Sequence, residues 1–159
     1  FKTNCDAIKL ESNGNNFKIL KTLTNSGIKV MGHIGYTPQY KKYFSPQGLK
    51  HKEEIKLIKE AKNIEDAGAF AIVLECVSAD LAKKITKNLQ IPTIGIGSSK
   101  FCDGQILVLD DLIGLSGFYP KFVKKYISLE KILNKAIKKF RNDVIRNNFP
   151  KNSNTYKTK

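Results

Sequence analysis

Short apolar runs recur along this 159-residue chain, and each ends on polar or small residues. Ala7-Ile8-Lys9-Leu10 ends on Glu11, and Lys29-Val30-Met31-Gly32 ends on His33. Phe70 to Leu74 ends on Glu75, Thr93 to Ile96 ends on Gly97-Ser98-Ser99, and Gln105 to Leu109 ends on Asp110-Asp111. Phe70 to Leu74 is too short for a helix and too apolar for a half-exposed strand, so it is expected to be a strand buried on both faces of a parallel sheet. In parallel α/β architectures ligands bind at the carboxyl ends of strands. Glu75 at such an end is either a solvated loop residue or a working group. The repetition at the same end of five runs favours the second reading and describes a row of βα units with one functional rim.

Helical patterns fill the gaps. Phe17 to Thr24 places Phe17, Leu20 and Leu23 on one face. His51 to Ala67 carries Ile55, Ile58, Ala61 and Ile64 as an expected buried stripe, with Gly68 at its end. Ala79 to Leu89 follows Ser78 and turns Leu81, Ala82, Ile85 and Leu89 inward. Alternation of strand and helix makes the fold class α/β with a parallel sheet. It leaves two closures open, a doubly wound sheet or part of a (β/α)8 barrel. Ser128 to Asn147 is a separate amphipathic helix with an apolar stripe from Leu129 to Ile145.

Several residues are candidates for chemistry. Lys9 and Glu11 are two apart and share a strand face, either as a polar site in a barrel mouth or as a surface ion pair. His33 stands at a strand end between Gly32 and Gly35, a better site candidate than a lone loop histidine. His51 has no partner pattern and is expected to be solvated. The long Tyr40 to Lys50 connection has the character of a lid or binding loop. Gly95-Ile-Gly97-Ser98-Ser99 is glycine-rich but lacks the spacing of a nucleotide-binding loop. Asp110-Asp111 is a metal candidate or a capping pair.

The formal charge of +14 is concentrated late, with a net +10 over residues 118–159, yet only Arg141 and Arg146 are arginines among 28 basic residues. Bidentate phosphate contacts and base readout favour arginine, so nucleic acid is not an expected partner, although a basic module for nucleic acid or an anionic surface stands as the alternative function. Cys5, Cys76 and Cys102 show no CxxC spacing and are expected to be reduced thiols in a cytoplasmic protein. A Cys76/His33 hydrolase is a second rival. No apolar run approaches the ~20 residues of a membrane span, and no leader is visible, so no membrane partner is expected. The chain begins with Phe1 rather than Met and is read as part of a longer protein.

Seven segments together are specific. Asp6-Ala-Ile-Lys-Leu-Glu11, Val30-Met-Gly-His-Ile-Gly-Tyr-Thr-Pro-Gln39, Gln47-Gly48, Ala71-Ile-Val-Leu-Glu-Cys76, Ile91-Pro-Thr-Ile-Gly-Ile-Gly97, Asp103-Gly-Gln-Ile-Leu-Val108 and Pro120-Lys-Phe122 resemble the ketopantoate hydroxymethyltransferase family. The resemblance implies a (β/α)8 barrel of which this chain carries about the last five βα units. Residues 1–126 would be barrel, 127–150 a helix packed on it, and 151–159 a disordered tail. It implies transfer of a one-carbon unit from 5,10-methylenetetrahydrofolate to 3-methyl-2-oxobutanoate, giving 2-dehydropantoate, with Mg²⁺ bound and a homo-oligomeric assembly. In that scheme Glu11 contributes to the metal site, Lys9 and His33 bind the oxo acid, and Glu75 transfers a proton. Two acidic residues of the family's metal site lie on earlier strands and have no counterpart here. Ser12-Asn13, Leu49 and Ser98-Ser99 also depart from the family's pattern.

Overall fold

The computed structural model describes residues 4–12 and 16–156. Asn13, Gly14 and Asn15 of the expected turn after Glu11, and residues 157–159 of the expected tail, lie outside the described residues. The chain forms two compact units, Phe1–Ile106 and Leu107–Lys159, so the units divide ahead of the expected boundary at 126.

The first unit is β1 (Ile8–Glu11), α1 (Phe17–Asn25), β2 (Val30–Gly35), α2 (His51–Asp66), β3 (Ala71–Glu75), α3 (Ala79–Asn88), β4 (Thr93–Ile96) and β5 (Gly104–Gln105). All four ladders are parallel and the strands stand in the order β1-β2-β3-β4-β5. This order separates the two closures. A doubly wound sheet reverses its strand order at a switch point, whereas a barrel adds each strand on the same side of the last. Five strands without a reversal are consistent with a part of a (β/α)8 barrel.

Register decides which residues share a face. Lys9 pairs with Met31, Glu11 with His33, His33 with Val73, and Gly35 with Glu75. Paired residues of a parallel sheet point the same way, so Lys9, Glu11, His33 and Glu75 line one face. The other face presents Val30, Ile34, Ile72 and Leu74, all fully buried among Leu57, Ala61 and Ile64 of α2 and Leu81, Ala82 and Ile85 of α3. Fully burying one such aliphatic side chain stabilises by roughly 1.5–3 kcal/mol, so this helix-covered layer holds the strand ends in place. Gly32 lets α2 approach: a Cβ there would sit 2.4 Å from Cγ2 of Ile64.

Two sequence expectations change. Gln105 to Leu109 is not one strand. β5 ends at Gln105, Ile106 is 57% exposed, and Leu109 opens α4 (Leu109–Ile113). Asp110 and Asp111 lie in the first turn of that helix, where carboxylates are favoured by the backbone dipole. Ile55 is also not part of the α2 stripe. It is exposed, and Leu57 takes the buried place beside Ala61 and Ile64. In the second unit, α5 (Leu129–Ile145) follows α4, and a 3₁₀ turn (Asn152–Asn154) stands inside the expected tail. No residue of α5 is buried, Ile137 being 62% exposed.

Candidate active site

β1 and β3 end on their carboxylates, where the apolar runs that make them stop, whereas β2 runs on past His33 to Gly35. β1 delivers Lys9 and Glu11, β2 His33, and β3 Glu75 to one cluster. His33 is its centre and is only 1% exposed. Nζ of Lys9 stands 3.3 Å from Nδ1 of His33, and Oε1 of Glu11 stands 3.8 Å from the same nitrogen. On the other side of the ring, Nε2 lies 3.2 Å from Oε2 of Glu75.

The tautomer follows from the donors. An ammonium only donates, so Nδ1 accepts from Lys9, and the neutral ring carries its proton on Nε2. That N–H faces Glu75, yet it is poorly aligned with the carboxylate and makes no hydrogen bond. A buried polar group without a partner is costly, and its presence in a native structure calls for a reason. The side chains of Glu11 and Glu75 are 7% and 16% exposed. One ammonium, one imidazole and two carboxylates thus converge, with an unused donor at the centre.

The backbone around Glu75 is fixed from three sides. Tyr36 N–H donates to the Glu75 carbonyl at 2.8 Å, and Cys76 N–H to Ile96 at 2.8 Å. Gln47 N–H donates to the Cys76 carbonyl, also at 2.8 Å. Cys76 itself takes a left-handed φ of +53°, a conformation uncommon for residues other than glycine. The Ser98 hydroxyl spans this bend: it donates to the Leu74 carbonyl at 2.7 Å and accepts from Val77 N–H at 3.1 Å. Gly35 allows the close approach of β2. It has φ +99°, and a Cβ there would lie 2.2 Å from the Glu75 carbonyl oxygen.

Glu11 is held similarly. Its Oε2 accepts from Gln39 N–H at 3.0 Å. Asn16 donates to the Glu11 carbonyl at 2.9 Å and lies 3.2 Å from the Tyr40 hydroxyl. The sequence marked Ser98 only as part of a glycine-rich loop, and did not mark Gln39 or Asn16 as site residues. They act across 21, 28 and 5 residues, and the longer two leave no spacing signal.

The remaining candidates separate from this cluster. His51 is exposed and pairs only loosely with Glu54, at 3.6 Å. Asp111 accepts from Ser116 within the second unit. Burial, reinforced by the neighbouring Glu75 charge, pushes the Cys76 thiol up to about 12. A thiol so high supplies almost no thiolate at neutral pH, which removes the nucleophile that a Cys/His hydrolase needs. Among the described residues, no three His, Cys, Asp or Glu side chains are grouped to enclose a metal ion, and no helix is long and apolar enough to cross a membrane.

The ketopantoate hydroxymethyltransferase family model matches residues 1–152. A 3-methyl-2-oxobutanoate hydroxymethyltransferase of Pelagibacter ubique is 50% identical over 155 residues, covering 98% of this chain and 60% of the relative. One from Francisella tularensis subsp. novicida is 49% identical, covering 94% and 58%. 3-Methyl-2-oxobutanoate hydroxymethyltransferase 2 of Zymomonas mobilis is 43% identical, covering 99% and 59%. The chain spans about three-fifths of the length of these relatives. With the family model matched over nearly the whole chain and the strand ends of that match gathered around His33, the chain belongs to the ketopantoate hydroxymethyltransferase family.

Proposed function

We propose that the whole protein to which this chain belongs transfers a hydroxymethyl group from 5,10-methylenetetrahydrofolate to 3-methyl-2-oxobutanoate, giving 2-dehydropantoate. The observation that carries the reading is the buried His33 between Lys9 and Glu75, on strands whose order is that of a barrel. A 2-oxo acid is an anion with an acidic hydrogen at C3. Its recognition needs a cation and a hydrogen-bond donor, and its activation needs a base. Lys9 supplies the cation and Nε2–H of His33 the donor. Glu75 is the base that takes the C3 proton. It is held away from bulk water by strand ends, while its backbone is pinned through Tyr36. The methylene carbon of the donor bears no oxygen, so one water is consumed. C3 bonds to that carbon, its two bonds to the donor nitrogens break and release tetrahydrofolate with the water's two hydrogens, and the water oxygen becomes the hydroxyl oxygen. The same carboxyl returns the C3 proton to that oxygen. Proton transfer by a placed carboxylate contributes typically 10²–10⁴-fold.

The residues present fit Mg²⁺ through one ligand. Glu11 is a buried carboxylate with Oε2 committed to Gln39 N–H and Oε1 turned toward the cluster. Mg²⁺ is ordinarily held by one or two carboxylates with substrate oxygens and waters. Bound there, it supplies Lewis-acid stabilisation of the charge that develops on the oxo acid. The homo-oligomeric assembly and the cytoplasmic setting belong to this same reading.

The test uses the full-length protein. Incubated with 3-methyl-2-oxobutanoate and methylenetetrahydrofolate, it is expected to form 2-dehydropantoate and to lose that activity reversibly on chelation of divalent metal. Absence of product, with the 2-oxo acid still failing to bind, overturns the reading.

A further inference from the structure

The two carboxylates of the cluster are held in different ways. Oε2 of Glu11 accepts from Gln39 N–H at 3.0 Å, so a hydrogen bond to the carboxylate itself sets its direction. Among the described residues no hydrogen bond does this for Glu75. Its ion-pair partner, Nε2 of His33, stands 3.2 Å away and is poorly aligned. The Glu75 carboxylate therefore points where the backbone of β3, and the bend after it, send it. That bend is unusual. Cys76 has a φ of +53°, and a residue with a Cβ stays in that region only when its surroundings over-determine it.

Those surroundings are backbone groups with one exception. The Glu75 carbonyl accepts from Tyr36 N–H, Cys76 N–H donates to Ile96, and the Cys76 carbonyl accepts from Gln47 N–H. Among the described residues, Ser98 alone hydrogen-bonds the backbone of residues 74–77 through a side chain. Gly97, at φ +64°, turns the chain just past the end of β4, and Ser98 follows it. Its hydroxyl donates to the Leu74 carbonyl at 2.7 Å and accepts from Val77 N–H at 3.1 Å. One oxygen thus clasps both flanks of Glu75-Cys76. A hydroxyl can donate and accept at once, and a methyl group does neither. Val77 is buried, and a buried donor left without its acceptor is costly. The neighbouring hydroxyl has another task. Oγ of Ser99 accepts from Phe101 N–H at 3.2 Å, within its own loop. Ser98-Ser99 is also one of the stretches that depart from the family's pattern.

We propose that Ser98 is a positioning residue: its hydroxyl holds the bend at Cys76 in the conformation that aims the Glu75 carboxylate at the cluster. It sets the rate of proton transfer without touching the substrate. This role rests on the hydroxymethyltransferase reading, which makes Glu75 the base. Placed groups are sensitive to small shifts, a displacement on the order of 1 Å costing about 10²-fold in rate.

The experiment uses full-length protein in D₂O, with Mg²⁺ present and folate absent. Glu75 takes the hydrogen from C3 of 3-methyl-2-oxobutanoate and the C–H electron pair stays on the oxo acid. The carboxyl proton is then replaced from solvent, and a deuteron returns to C3. Proton NMR is expected to show this exchange slowed about tenfold or more in Ser98→Ala. It should slow several-fold in Ser98→Cys, whose thiol hydrogen-bonds only weakly. Ser99→Ala should exchange within twofold of wild type. In turnover, Ser98→Ala should lower kcat about tenfold and move KM for the oxo acid less than twofold, a split that general loosening of the site would not give. Amide hydrogen exchange at Val77 should quicken about tenfold in the same variant. C3 exchange at the wild-type rate in folded Ser98→Ala or Ser98→Cys overturns the proposal, and so does equal slowing in Ser99→Ala. Unaltered Val77 protection overturns it as well. Wild-type protein that exchanges C3, with Ser98 variants that match it, condemns the role of Ser98 alone. Wild-type protein that does not exchange C3 condemns the hydroxymethyltransferase reading, and the role of Ser98 falls with it.

Discussion

The strand-end cluster and α5 carry charge in opposite ways. Around His33 there are few charges, each aimed at this one buried ring: the exposed Lys9 at 3.3 Å, the half-buried Glu75 at 3.2 Å and the buried Glu11 at 3.8 Å. On α5 there are many, and none is buried. Residues 118–159 hold most of the formal charge, yet the cluster around His33 stands on the strand ends. A charge in water interacts weakly with its neighbours, whereas a desolvated one must be matched or must be used. The proposed reading places function where charge is desolvated rather than where it is most abundant.

The sharpest way to break this contrast is at Glu75. In the full-length protein, Glu75→Gln keeps the shape and removes the proton acceptor. Steady-state kinetics should show kcat lower by 10²–10⁴-fold, with KM for the 2-oxo acid little changed. An unchanged kcat would take Glu75 out of the mechanism and leave the cluster as a buried structural network.

Second in size is Gly35→Ala. The added Cβ would lie 2.2 Å from the Glu75 carbonyl oxygen and 2.8 Å from Cγ2 of Val77, at φ +99°. Backbone cannot yield as a flexible side chain can. Overpacking of this kind costs roughly 1–3 kcal/mol and the left-handed backbone adds to it. Thermal unfolding of the full-length protein should fall by about 6–12 °C for ~3 kcal/mol. A variant as stable as wild type would show that β2 and β3 do not need their close approach. By the same logic Gly32→Ala should cost less, because it meets only the side chain of Ile64.

How much of this was legible beforehand depends on the range of the interaction. β3 and β4 were readable because their residues are apolar on both faces, which is a local property. The convergence of Lys9, Glu11, His33 and Glu75 was readable because each lies at, or within two residues of, the carboxyl end of its strand, and parallel strands end at one rim. β5 was misjudged for the same reason in reverse. Ile106 to Val108 looks like a strand by composition, but a strand needs a partner, and the ladder stops at Gln105 with only one more backbone bond, from Ile106 to Gly95. Asp103 shows the limit clearly. Its carboxylate accepts from the backbone and the hydroxyl of Thr93 at 2.8 and 3.0 Å, and the Thr93 backbone hydrogen bond above all holds its pKa below the usual value. No spacing rule announces that pair. A cavity of about 360 Å³ beside Gly35 did leave one unread signal: Glu53, Lys56, Leu57 and Glu60 of its lining recur at i, i+3, i+4 and i+7. They form a single face of α2, beside the buried stripe.

Third comes Cys76, which tests whether nearness to the cluster is enough to make a residue reactive. The thiol is buried and its pKa is pushed up to about 12 by burial and by Glu75. Cys76→Ala should cost about 1 kcal/mol of packing and change kcat less than twofold. Native protein should resist alkylation at Cys76 up to about pH 9, where an ordinary thiol reacts. The sign of the pH effect is fixed. Between the ordinary thiol value of 9.0, expected in the unfolded chain, and the folded value of about 12, the native thiol keeps a proton that the unfolded one has lost. Folding is therefore weakened as pH rises through that window. Rapid alkylation at pH 8 would restore the hydrolase alternative.

The smallest effect is expected on α5, and a small effect there is what the comparison demands. Lys131, Lys135 and Lys138 are exposed and stand opposite the apolar stripe. Solvated lysines cost little to replace, so the triple change to Glu should alter stability by no more than about 0.5 kcal/mol per site. It should also leave kcat and KM within twofold. The same variant tests the alternative function. Fluorescence anisotropy with duplex DNA should show wild-type binding no tighter than the 10⁻⁴–10⁻⁶ M of non-specific contacts at physiological salt. Removing three phosphate-facing charges should flatten the salt dependence without changing any sequence preference. Sequence-selective binding below about 10⁻⁸ M, abolished by these three substitutions, would reverse the contrast. The cluster around His33 would then be the scaffold and α5 the working surface.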